Sequence, residues 1–165
     1  MRLCADLLVL PLAFFTGTIP IGGAGHTEKR VYVCAEPNPQ AICNPSNTCG
    51  SLNEPCVIDV KRTASSASAV PSIAGAKSNA PFCVAAGTTI TWQSTNKNTG
   101  FTIDFGPSSP FESSGAIIGG SDRSVSLPAK KQGCYKFSVG ACNTDAIYGM
   151  CAEGSAELII SAPTR

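Results

Sequence analysis

From Pro81 onward, large apolar residues occupy every second position in short runs, and glycine, proline, asparagine and serine break the runs. In "GFTIDFG", Phe101, Ile103 and Phe105 fall on one side, Thr102 and Asp104 on the other. "GCYKFSVGAC" alternates Tyr135, Phe137 and Val139 with Lys136 and Ser138, and "RSVSLPA" sets Val125 and Leu127 among serines. "PFCVAAGTTITWQ" reads as two strands hinged at Gly87, with Ile90 and Trp92 on one face. "SAELIIS" closes the series with Ala156, Leu158 and Ile160. Side chains of an extended chain point alternately to opposite faces, so each run buries one face and offers the other to solvent. Upstream, "VYVCA" and "CVIDV" alternate in the same way.

The expectation is an all-β domain of about seven or eight strands, a sandwich or barrel, with turns drawn from 16 glycines and 12 prolines. No stretch carries a helical period of useful length, and "PFESSGAIIGGSD" has room for one helical turn at most. "TASSASAVPSIAGAKSNA", residues 63–80, is low in complexity and reads as a long surface loop, or an insertion between strands. The segment before it is too short to fold alone, so residues 26–165 form one domain, with a cysteine-rich N-terminal loop over 34–56.

Residues 1–25 read as a cleaved export signal. Arg2 gives a small positive start, "LLVLPLAFF" a short apolar stretch, and Gly22 and Ala24 suit a signal peptidase. The stretch falls short of the roughly 20 residues a membrane helix needs, so no span remains in the mature chain. Nine cysteines occur, and cutting after Gly25 removes Cys4 and leaves eight: Cys34, Cys43, Cys49, Cys56, Cys83, Cys134, Cys142 and Cys151. An even number in an exported chain favours disulfides, although spacing alone does not choose among the pairings. The chain is expected to be secreted or periplasmic. A formal net charge of +1 and an isoelectric point near 7.5 argue against an electrostatic nucleic-acid or membrane-surface binder.

Further phrases carry a family resemblance. "AGTTITW" is a glycine before a strand ending in Trp, "FTIDF" opens the next strand, and "GCYKFSV", "YGM" and "AELII" follow in order. The stretch Phe82–Ser161, about half the chain, resembles the cupredoxins, the Greek-key β-sandwiches that include plastocyanins and azurins. The resemblance implies a Greek-key fold and places the copper-ligand positions at Phe101, Cys142, Asp145 and Met150. A second register, following strand alternation, puts Val139 at the thiolate position. A type 1 copper site needs two imidazoles and a thiolate with a weak axial thioether. Neither register supplies an imidazole, and the only histidine is His26. No copper centre and no cofactor is therefore expected.

Cys142 and Cys151 admit three readings. As a disulfide they would close a short loop, worth on the order of 2.5–3 kcal/mol through restriction of the unfolded chain. Each could instead pair elsewhere, with Cys134 one competitor. Reduced, they could join Met150 as a soft Cu(I) cluster, which export disfavours.

Little else in the sequence suggests chemistry. Asp104, Asp122, Asp145 and Glu153 are the carboxylates available for acid–base work, and nothing in their spacing marks a pair. "AIIGGSDRS" lacks the lysine and the βαβ setting of a nucleotide loop and reads as a hairpin turn or a loop. Trp92, on the Ile90 face, reads as core. Ile147 and Tyr148 either mark a contact site or cap the sandwich. The expectation is an exported, non-catalytic binding or structural module with an extracellular or periplasmic partner. The rivals are a copper carrier or electron-transfer protein with sulfur-rich ligands, and a secreted enzyme using carboxylates alone.

Overall fold

A computed structural model describes residues 33–120, 122–143 and 151–163. The expected leader, His26, Asp145, Ile147, Tyr148 and Met150 lie outside the described residues. Among the described residues, nine strands form two packed sheets. The first sheet contains β1 (Cys56–Arg62), β2 (Ala67–Pro71), β4 (Thr89–Gln93) and β7 (Val125–Pro128) in the order β2-β1-β4-β7. The second contains β3 (Phe82–Ala85), β5 (Thr99–Asp104), β6 (Ile117–Gly120), β8 (Gly133–Asn143) and β9 (Cys151–Ser161) in the order β3-β9-β8-β5-β6. The pairs β1–β4 and β3–β9 are parallel and the rest antiparallel. No helix among the described residues is long and apolar enough to cross a membrane.

The core lies between the sheets and takes the alternating residues. Ile58, Val60, Ile90 and Trp92 from the first sheet meet Phe101, Ile103, Phe137, Val139, Leu158 and Ile160 from the second, all buried. Trp92 stands edge-on to Phe137 at 5.4 Å and to Phe105 at 6.3 Å between ring centroids, and Phe105 meets Phe111 edge-on at 5.5 Å. Edge-to-face pairs of this kind add about 0.5–1.5 kcal/mol beyond the area they bury.

Four disulfides join Cys34 to Cys134, Cys43 to Cys83, Cys49 to Cys56 and Cys142 to Cys151. The first three fasten the N-terminal segment to β8, β3 and β1 in turn. The segment covers part of the outer face of the second sheet. Alternation points Glu157 and Ile159 away from the core, yet both are buried. The Glu157 carboxylate accepts the backbone N–H of Val33 at 2.6 Å and of Cys34 at 3.2 Å. A buried carboxylate persists where such donors satisfy it.

Three local expectations are corrected. Within "VYVCA", Val33–Ala35 is a short 3-10 turn and not a strand, while residues 31 and 32 lie outside the described residues. Its N–H groups go to Glu157 instead of a neighbouring strand, and Cys34 is bridged to Cys134. Residues 63–80 are not one surface loop, because Ala67–Pro71 form β2, paired with β1 and almost wholly buried. Small side chains here indicate close packing: a methyl group added at Gly154 of β9 would collide with the Ala67 carbonyl oxygen. Residues 117–120, part of the stretch read as having room for one helical turn at most, form the short strand β6 against β5.

The return from β2 is held by Asn79, whose φ of 56° is left-handed, a conformation asparagine tolerates better than most residues. Its side chain accepts the Ala69 N–H at 2.9 Å and donates to the Ala67 carbonyl at 3.1 Å, while its backbone N–H donates to the Ala69 carbonyl at 3.1 Å. Along β3, the Cys49 N–H donates to the Cys83 carbonyl and the Cys83 N–H to the Asn47 carbonyl. Because the carbonyl facing Gly154 is backbone and cannot rotate aside, Gly154→Ala is expected to cost about 1–3 kcal/mol. A urea-unfolding midpoint unchanged from the parent chain would refute that contact.

Candidate functional site

The positions that resemble copper ligands divide between the two faces of the second sheet. Phe101 is opposite Ala141 in the β5–β8 ladder and points into the core, where its ring lies over Gly119. Cys142 is opposite Gly100, one residue along, so it faces outward. Phe101 and Cys142 therefore cannot meet around one ion. In the other register Val139 shares the Phe101 face, and both are apolar and buried. The residues present do not fit a type 1 copper site, which needs imidazole nitrogen beside thiolate sulfur.

Outside the core, Cys142 of β8 and Cys151 of β9 stand directly opposite each other, with Cα atoms 4.1 Å apart, and are joined. The same cross-strand row continues through Gly100 of β5 to Gly120 of β6. Two residues back on β8, and on the same outer face, is Gly140. Glycines thus flank the bridge on two sides, with no side chain over it from those positions. Cys151 is exposed and Cys142 half-buried. Among the described residues, no three His, Cys, Asp or Glu side chains gather closely enough to hold a metal ion.

The carboxylates named from the sequence are dispersed. Asp104 is exposed at the end of β5 and accepts the Gly106 N–H at 2.7 Å, closing a local turn. Glu153 lies exposed on β9, with β8 between it and β5 and two residues out of step with Asp104, so the backbone positions carrying these two groups are about 11–12 Å apart. Asp122 occupies the turn between β6 and β7, where Gly120 and Arg123 exchange backbone hydrogen bonds at 3.0 and 2.9 Å. Because β6 and β7 belong to different sheets, the connection is a loop between sheets and not a hairpin between paired strands. At the surface, the Lys130 ammonium hydrogen-bonds Glu112 at 2.7 Å, and this bond and its charge hold the Glu112 carboxyl below its ordinary range.

A groove of about 340 Å³ runs between β6 and β7, lined by Ala116, Ile117, Ile118, Arg123, Val125 and Leu127. Ile118, 65% exposed, points away from the core beside it. The sequence did not single out this groove, because "AIIGG" resembles a turn more than a strand. Glu157 was also missed, since alternation places it on a face that normally meets water. Matching against models of protein families, and against curated proteins, finds nothing similar to this chain.

Proposed function

We propose that the chain is an exported, non-catalytic binding or structural module, a cupredoxin-like sandwich without bound copper, that works in a periplasm or outside the cell. The observation that carries this reading is the division of the ligand-like positions: Phe101 fills the core while the Cys142 sulfur is bonded to Cys151 on the opposite face. A thiolate committed to a disulfide is no longer a metal ligand. Four bridges support an oxidising compartment, since reducing cytosol keeps thiols free. The Greek-key reading has support in a chain that passes repeatedly from one sheet to the other and in the two parallel pairings.

The test is a thiol count and a copper titration on the exported protein. Denatured without reductant, it is expected to show no free thiol among the eight cysteines from Cys34 to Cys151. With Cu(II), or with Cu(I) under argon, it is expected to lose the metal to a chelator. An intense blue band, or one equivalent of copper retained against chelation, would overturn the reading in favour of a copper carrier.

A further inference from the structure

We propose that Cys142–Cys151 is a thiol–disulfide exchange site that a dithiol can open and close while the sandwich stays folded. Access sets the rate of such exchange, because the attacking thiolate must reach one sulfur in line with the bond. Cys49 and Cys56 are fully enclosed in the core, and Cys83 is equally buried, so two of the bridges present at least one unreachable partner. Cys34 and Cys134 are both half-buried, where the N-terminal segment meets β8. Cys151 alone among the bridged cysteines is exposed. Gly100 beside Cys142 and Gly140 behind it contribute no side chain to screen the sulfurs.

In the reaction, one thiolate of the dithiol attacks the Cys151 sulfur. The Cys142–Cys151 bond breaks, and its electron pair leaves on the Cys142 sulfur, which takes a proton from water. The second thiolate of the dithiol then attacks the mixed disulfide and releases Cys151, which is protonated in turn. The protein gains two electrons and two protons, and the dithiol becomes a cyclic disulfide. Closure is the reverse, driven by an oxidised exchange partner of the same class.

The fold tolerates opening because the bridge spans only nine positions and does not hold the strands together by itself. From Gly133↔Ile160 to Ala141↔Ala152, the β8–β9 ladder continues without it. Those pairs also keep the two thiols facing each other, ready to close again. Glu153, on the same outer face two residues beyond Cys151, places a negative charge beside the site. A neutral dithiol is therefore a better substrate than an anionic thiol.

The experiment treats the native, fully oxidised chain with limiting dithiothreitol, quenches with iodoacetamide, and maps the labelled peptides. Cys142 and Cys151 are expected to take label at least about tenfold faster than any other pair, reflecting access, with an unchanged circular dichroism spectrum. If Cys34 and Cys134 label first, or all eight cysteines label together as the spectrum collapses, the proposal fails. As a second arm, the Cys142→Ser, Cys151→Ser chain is expected to take up no label over the same exposure. Rapid labelling elsewhere in that variant would also overturn it.

Discussion

Replacing Cys34 and Cys134 together by serine is expected to destabilise the protein by about 4–5 kcal/mol, more than opening any other bridge. The pair closes a loop of 100 positions, and restriction of the unfolded chain grows with the logarithm of loop length. By the same relation the Cys43–Cys83 bridge, closing 40, is worth about 4 kcal/mol, and the two short bridges nearer 2.5 kcal/mol. Domains of this size are stable by roughly 5–15 kcal/mol, so the first loss alone approaches the lower limit. It also frees the segment whose N–H groups satisfy Glu157, leaving a buried carboxylate short of donors. Urea unfolding of the four paired Cys→Ser variants gives the ranking. If Cys49/Cys56 instead proved the costliest pair, burial of the introduced hydroxyls would outweigh loop length, and the chain-entropy argument would fall.

Trp92→Ala should cost about 3–5 kcal/mol, since a large aromatic is removed from a site that cannot collapse around the gap. Trp92 is wholly buried, and its ring contacts reach Phe137 of the opposite sheet and Phe105 just beyond the end of β5. Trp92→Phe should cost distinctly less. It keeps an aromatic ring against the same neighbours and removes an indole N–H that has no hydrogen-bond partner among the described residues. An unpaired buried donor carries a desolvation penalty of about 1–3 kcal/mol, which its loss partly offsets. Equal destabilisation by both substitutions, measured by thermal or chemical unfolding, would show that the indole is needed for its shape and not merely as an aromatic filler.

The strands that build the core were legible because their large residues alternate. Ile90 with Trp92, Phe101 with Ile103, and Phe137 with Val139 announced both the strands and the inward face. β2 was not legible, because alanine and serine at Ala67–Ala69 look like loop residues. Their burial comes from the close approach of Gly154, a contact far away in sequence. The cover over the outer face of β9 was not legible for a related reason. Alternation shows which residues share a face, but not that a disulfide-bound segment covers it, so Glu157 and Ile159 looked solvent-facing. At the candidate site, the missing imidazoles could be read from composition. The separation of Phe101 from Cys142 could not, since it depends on the one-residue offset of the β5–β8 register.

Asn79 has a consequence for how copies of this protein meet. A sandwich grows into a fibre by adding strands on two opposite flanks, and natural proteins blunt such flanks to prevent it. Here Asn79 satisfies the Ala67 and Ala69 backbone groups that an incoming strand would use, and residues 47–49 already occupy the outer side of β3. Among the described residues, the flank left open to lateral strand pairing is therefore that of β6 and β7.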